Sequence, residues 1–167
     1  MVSKVKTLIL RAPGTNCDVG SAFAFEQAGA EVDLVHVSEL IRRQDLISNS
    51  QILVIPGGFT YGDDISAGKI LANELRLKLG DKIQKFVDDG RLILGICNGF
   101  QVLVKAGMLP RWSADNQQSL TIANNESGRF ECRWVYLRAN KRIPCISTRG
   151  NNPYVSPGGP RRGQGCD

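Results

Sequence analysis

The stretch Arg91-Leu-Ile-Leu-Gly-Ile-Cys97-Asn-Gly-Phe-Gln101 limits what this chain can fold into more than any other. Leu92, Ile93, Leu94 and Ile96 form a short continuous apolar run, the pattern of a parallel strand covered on both faces. Cys97 follows between Gly95 and Gly99, and Val102, Leu103 and Val104 then supply an apolar helical segment. A strand that turns sharply into a helix packed close behind it needs small residues two positions either side of the turn, and Gly95 and Gly99 meet that need. The arrangement is the plan of a nucleophile elbow with a thiol in place of a hydroxyl. The backbone N–H of Asn98, first in the new helix, would face an oxyanion formed at Cys97, and the helix N-terminus favours negative charge there. A buried structural cysteine beside two ordinary turn glycines is the plainer alternative.

The rest of the chain supplies the context such an elbow requires. Val5 to Ala12 reads as a first strand ending in Pro13-Gly-Thr-Asn16. Asp18 can cap a helix running through Ala28, with Ala24, Phe23 and Phe25 on its apolar faces and Gly29 as its stop. Glu31 to Val37 is a second strand, and Ser38 to Ser50 holds a short helix. Ile52 to Ile55 is a third, wholly apolar strand stopped by Pro56-Gly57-Gly58. Ser66 to Leu79 and Asp81 to Asp89 repeat apolar residues at helical spacing, with a break expected between them. Strands alternating with helices in this way give a parallel sheet with helices on both faces. Right-handed crossovers bring the ends of the first, third and fourth strands to one rim, so the Pro13 turn, Gly57-Gly58 and Cys97 should converge. Adjacent glycines after the third strand can turn backbone N–H groups outward as an oxyanion nest, or form a plain connecting loop. After Gly107 the pattern changes. Leu120 to Ala123 and Arg129 to Arg138 read as strands of an antiparallel appendage joined by a polar turn.

Several other classes of function find little support. A net charge of +5 comes from lysines and arginines scattered among acids, without a basic run or interleaved aromatics, so no nucleic-acid site is read. Neither a secretory leader nor a membrane-length apolar run is present, which points to a cytoplasmic protein. Cysteines 17, 97, 132, 145 and 166 are irregularly spaced and accompanied by one histidine, so neither a disulfide framework nor a zinc site is expected. That histidine, His36, falls inside the second strand and suits a core or sheet-edge role better than proton transfer. Asp63 and Asp64 suit turn and helix-cap chemistry better than a metal.

Four motifs in order carry a resemblance: Arg11-Ala-Pro-Gly-Thr-Asn-Cys-Asp18, Pro56-Gly-Gly-Phe-Thr-Tyr-Gly-Asp-Asp64, Gly95-Ile-Cys-Asn-Gly-Phe-Gln101 and Ser127-Gly-Arg-Phe-Glu-Cys-Arg-Trp134. Over about Val5 to Arg149 the chain resembles the glutaminase subunits of phosphoribosylformylglycinamidine synthase, within the class I glutamine amidotransferases. The resemblance implies a flavodoxin-like, doubly wound, mostly parallel α/β sheet with a short antiparallel appendage. It implies hydrolysis of glutamine to glutamate and ammonia, the ammonia passing to an ATP-dependent synthetase subunit in purine biosynthesis. A small accessory subunit is a further implied partner. No cofactor is implied on this subunit, ATP and magnesium belonging to the synthetase. Carried over position by position, Cys97 matches the nucleophile, and Gly58 and Asn98 match the backbone donors to the oxyanion. Gly57, Phe59, Gln101, Asn125, Ser127, Gly128, Arg129 and Phe130 match glutamine-binding positions.

Departures from the family are equally legible. A thioester route needs a histidine to move the thiol proton and a carboxylate to orient it. The family takes both from a motif near its C-terminus that this chain lacks. Residues 1–149 are therefore expected to form an incomplete amidotransferase domain. Residues 150–167, rich in proline and glycine without apolar period, are expected to be disordered or frameshifted. Pro157 to Gly165 can be encoded so that a one-base shift reads Pro-Val-Ala-His-Gly-Glu-Gly-Lys, which resembles the family's continuation. Little turnover by the chain alone is expected. The rivals are a non-catalytic glutamine- or synthetase-binding subunit and a redox or chaperone-like cysteine relative; the Ser127 to Trp134 motif argues against the latter.

Overall fold

The computed structural model describes residues 4–110, 118–137 and 154–156. The chain divides into two units, Met1–Thr121 and Ile122–Asp167. In the first, β1 (Lys6–Arg11), β2 (Glu31–His36), β3 (Ile52–Ile55) and β4 (Leu92–Gly95) form a parallel sheet in the order β2-β1-β3-β4. That order reverses direction between β1 and β3, and open α/β sheets bind ligands in the crevice such a switch creates. The flavodoxin-like expectation is met.

The crossovers are α1 (Asp18–Gln27), the short α2 (Val37–Arg42) and α3 (Asp45–Ser48), α4 (Lys69–Asp88) and, after β4, α5 (Asn98–Lys105). One face of the sheet carries most of the core. Leu8, Leu10, Leu53 and Ile55 pack there with Leu71, Leu75, Leu79, Ile83 and Phe86 of α4 and Val102 and Leu103 of α5. Those α4 residues recur at three- and four-residue steps, so one stripe is buried along the whole helix, each leucine contributing about 2 kcal/mol. The opposite face is thinner: Ile9 and Val54 pack with Ala22 of α1.

Several expectations change. The two helical segments either side of Gly80 are one 20-residue helix, because the buried stripe continues through Ile83 and Phe86 and outweighs the local cost of a glycine. β4 is buried on one face only. Ile93 packs on the main core, but Leu92, Leu94 and Ile96 are 39–42% exposed, since α1 covers β1 and β3 and does not reach that edge. Asp18 does not cap α1. Cys17 holds the cap position without a side-chain bond, and Asp18, buried, lies 2.6 Å from Arg11 Nε as an ion pair. Phe23 is exposed, and Ala22 is the apolar residue α1 buries. His36 ends β2 and caps α2, its Nδ1 accepting from Ser38 N at 3.3 Å. Sheet-edge chemistry thus accounts for it.

The second unit contains an antiparallel pair, β5 (Val135–Leu137) and β6 (Tyr154–Ser156). Leu120 to Ala123 is not a strand, and among the described residues of the expected Arg129 to Arg138 strand only Val135–Leu137 are. Polar and apolar residues alternate from Arg129 to Trp134, yet that run is not a strand: Glu131 makes an isolated bridge, and Arg133 pairs with Glu131 at 2.7 Å. Tyr154–Ser156 form a strand inside the segment expected to be disordered. The remainder of that segment, the Pro144-Cys145 run, Arg138 and Arg149 lie outside the described residues. No described helix is long and apolar enough to cross a membrane.

Candidate active site

Cys97 sits at φ 53°, ψ −110°, between the end of β4 and the first residue of α5. A non-glycine residue there carries strain of order 1–3 kcal/mol, which persists only where the surroundings impose it. The surroundings are two close approaches. A β-carbon on Gly99 would collide with the Ile55 carbonyl at the end of β3, and one on Gly95 would fall 2.6 Å from Leu103 Cδ1 and 2.9 Å from the Gly99 carbonyl. The N-terminus of α5 is therefore pressed against the ends of β3 and β4, and the only way into the helix is the sharp turn that lifts Cys97 out. Its thiol is free and exposed, not the buried structural cysteine of the plainer reading.

Loops after β1 and β3 complete the rim. Phe59 N donates to Gly14 O at 2.9 Å, and Asn16 N to Gly57 O at 3.4 Å. These two bonds flank an antiparallel bridge between Thr15 and Gly58. In such a narrow pair the two central residues direct their own N–H groups away from each other. Gly58 N–H thus faces away from the β1 loop, toward the β4 side of the rim. A β-carbon on Gly58 would fall 2.6 Å from Gly14 O, and its φ of +141° is glycine's own. Neither Gly58 N–H nor Asn98 N–H donates to a backbone carbonyl of a described residue. Gly57 lies directly beside the thiol: its β-carbon position would be 3.3 Å from Cys97 Cβ and 3.4 Å from Cys17 Sγ. The Pro13 turn, the glycine pair and Cys97 converge as expected.

From Thr60 to Asp63 the chain turns tightly and without helical geometry at its centre, Tyr61, Gly62 and Asp63 all lying at positive φ. Asn98, 1% exposed, ties this turn to α5. Its Oδ1 accepts from Thr60 N at 3.3 Å and Thr60 Oγ1 at 2.7 Å, and its Nδ2 donates to Asp63 Oδ1 and Gln101 Oε1, both at 3.2 Å. Asp63 Oδ1 also accepts from Gly68 N at 3.0 Å, so the aspartate does serve turn chemistry. Tyr61 Oη donates to Glu74 Oε2 at 2.6 Å; burial first, then this carboxylate, push its ionisation well above the usual tyrosine range. Burial and nearby Lys69 lower Lys105, with Asp63 opposing, and its Nζ donates to Ser66 Oγ.

Phe59 is 58% exposed at the rim, and Gln101 lies one turn into α5 with its carbonyl held by Asn98. Asn125, Ser127, Gly128, Arg129 and Phe130 belong to the second unit, where they form a local turn: Gly128 N donates to Asn125 O and Asn125 Nδ2 to Arg129 O, each at 2.8 Å. Sequence reasoning missed the side-chain roles of Thr60 and Asn98, the bond from Asn98 to Asp63, and the place of Cys17 beside the thiol. The only available signal for them was polar residues inside glycine-rich motifs.

A parallel sheet with an exposed cysteine on a strained strand-to-helix turn, faced by the outward Gly58 N–H of the neighbouring strand's loop, has the layout of an α/β domain built around an elbow. Residues 4–165 match the profile of the CobB/CobQ-like glutamine amidotransferase domain, and the chain belongs to that family. It is 56% identical over 149 residues to phosphoribosylformylglycinamidine synthase subunit PurQ of Dehalococcoides mccartyi, covering 89% of this chain and 58% of that protein. The PurQ of Methanococcus maripaludis is 40% identical over 148 residues, with 88% and 54% covered. The chain thus spans little more than half the length of these curated relatives. Among solved structures, PurLQS from Thermotoga maritima superposes with a TM-score of 0.73 at 28% identity, covering 99% of this chain and 71% of that one.

Proposed function

We propose that this chain is the nucleophile-bearing part of a glutaminase subunit of phosphoribosylformylglycinamidine synthase, which takes ammonia from glutamine and passes it to a synthetase subunit in purine biosynthesis. The observation that carries this reading is the strained Cys97 turn with Gly58 N–H directed to its side of the rim. The similarity to PurQ proteins supplies the substrate, and the PurLQS likeness supplies the kind of partner.

In the proposed reaction the Cys97 sulfur adds to the side-chain carbonyl carbon of glutamine. The carbonyl oxygen takes up negative charge and is held by Gly58 N–H and Asn98 N–H. Donors fixed in advance for that charge are worth about 10²–10³ in rate each. Collapse of the tetrahedral adduct expels the amide nitrogen as ammonia once it is protonated, leaving a glutamyl thioester that water hydrolyses to glutamate. Gln101, with its carbonyl held by Asn98, keeps its amide N–H₂ for the substrate.

Proton transfer is the step for which the described residues bring no histidine to Cys97. His36 ends β2, on the far side of β1 from β3 and β4, and its Nδ1 is held by Ser38. Ammonia release by the 167-residue chain alone is therefore expected to be several orders of magnitude below that of a glutaminase with its histidine. The reading itself is tested without turnover, by incubation with the chloroketone analogue of glutamine. Alkylation of Cys97 that glutamine suppresses in a saturable way supports it. Absence of that suppression overturns it in favour of another cysteine chemistry. Saturable glutamine binding with Cys97 left unmodified makes the chain a non-catalytic binding subunit.

A further inference from the structure

The Asn98 side chain is more fully engaged than an oxyanion donor needs, since that role falls to its backbone. A primary amide has two donor hydrogens and an acceptor oxygen with two lone pairs. Here both hydrogens and both lone pairs are used, within a side chain that is 1% exposed. The orientation is fixed by its neighbours: a flipped amide would set its N–H₂ against Thr60 N–H and its oxygen against the Asp63 carboxylate. Burying an amide costs free energy unless every bond is made, so these four partners are a condition of its being there at all.

Thr60 and Asn98 lie 38 residues apart in sequence, one in the loop after β3 and the other opening α5. The turn they join is costly on its own, with Tyr61 at φ 55°, Gly62 at 68° and Asp63 at 56° in succession. Non-glycine residues resist that region by about 1–2 kcal/mol each, so the turn holds this shape only where it is pinned from outside. Asn98 pins it at both ends, at Thr60 and at Asp63. Gly58 is two residues before Thr60, and the Asn98 N–H is on the pinning residue itself.

We infer that the Asn98 side chain is a positioning residue: through Thr60 and Asp63 it clamps the 58–63 loop to the first turn of α5 and so sets the separation of the two oxyanion donors, Gly58 N–H and Asn98 N–H. The inference rests on the glutaminase reading. It adds that the two halves of the oxyanion site are held in register by one side chain, which also turns Gln101 so that its amide hydrogens face outward from the clamp.

Glutamate γ-semialdehyde is the suitable probe because its adduct needs no proton shuttle. The Cys97 sulfur bonds to the aldehyde carbon, the carbonyl π bond opens, and the thiol proton ends on the former carbonyl oxygen, which the two donors then hold. Adduct affinity is measured on the whole chain by mass spectrometry and by protection of Cys97 from alkylation, for the wild type, Asn98→Asp, and Asn98→Asp combined with Asp63→Asn, with thermal melting of each. Asn98→Asp keeps the shape but sets a carboxylate against Asp63. It is expected to weaken the adduct by about tenfold or more, a part of the roughly 10²–10³ that one well-placed oxyanion donor is worth. The double substitution removes the contact between two carboxylates and sets a donor against the new acceptor, but the same Asp63 oxygen accepts from Gly68 N, so it is expected to recover part of the loss. If the wild type forms no adduct at Cys97, the glutaminase reading fails. If the wild type forms it and Asn98→Asp binds within about twofold of it, the reading stands and the clamp is overturned. Loss in both variants in step with a lowered melting temperature also overturns the clamp, leaving Asn98 a merely structural residue.

Discussion

Glycine is used in two opposite ways in the first unit, at the rim around Cys97 and in the middle of α4. At the rim, backbone touches backbone: Gly99 on the Ile55 carbonyl, Gly58 on Gly14 and Asn16, Gly95 on the first turn of α5. Within α4, a β-carbon on Gly80 would meet nothing within 4 Å, and the helix passes through that residue unbroken. The rim glycines exist because the strands and α5 must approach until no side chain fits, and that approach is what forces Cys97 into its strained, exposed conformation. Gly80 is carried by the packing of its neighbours. A glycine therefore marks a site only where its missing side chain is being used.

Adding one methyl group at each place sharpens the contrast. Gly99→Ala is expected to be the most damaging, about 3 kcal/mol or more by chemical denaturation, because the collision is with main chain that cannot rotate aside. Should the protein tolerate it, the close approach that defines the elbow would be wrong. Gly58→Ala follows at about 2 kcal/mol, as a positive φ and contact with Gly14 O act together, and it should also abolish glutamine protection of Cys97. Tyr61→Phe removes the bond to Glu74 and is expected to cost about 1 kcal/mol at neutral pH. Because Tyr61 ionises above its unfolded value, its contribution is fully present below about pH 10 and lost as pH rises beyond that. Melting temperatures of wild type and Tyr61→Phe should accordingly converge in alkali; a gap that widens there would contradict the assignment. Gly80→Ala is the smallest and opposite in sign, a gain of about 0.5–1 kcal/mol. A loss at that site would mean the helix needs its glycine.

The same distinction explains how much could be read from the sequence. Gly95, Cys97 and Gly99 announced the elbow because steric demand at a sharp turn acts over a few residues, and the apolar runs before and after it fixed strand and helix. The parallel sheet and the shared rim of its strand ends followed from alternation and crossover handedness. Gly80 misled because a local stop signal carries no information about the buried stripe through Leu79, Ile83 and Phe86. Continuous apolarity in Leu92 to Ile96 suggested burial on both faces, but the exposure of Leu92, Leu94 and Ile96 depends on where α1 lies, which composition does not encode. The clamp at Asn98 was hidden for a related reason: Thr60 and Asp63 reach it across 38 and 35 residues, and no periodicity links them. Cys17 stood in a motif without a role until folding set its sulfur across Gly57 from Cys97.

Those two neighbouring cysteines offer the most direct test of the claim that the elbow makes Cys97 a nucleophile for glutamine. Both Cys17 and Cys97 are free and exposed, so a general alkylating reagent such as iodoacetamide should reach both. The measurement is the site of modification, by peptide mass spectrometry, under iodoacetamide and under the chloroketone analogue of glutamine at matched total labelling. The account predicts that the analogue modifies Cys97 and leaves Cys17 free, with glutamine suppressing only that reaction. Equal labelling of the two thiols by the analogue, indifferent to glutamine, would contradict it.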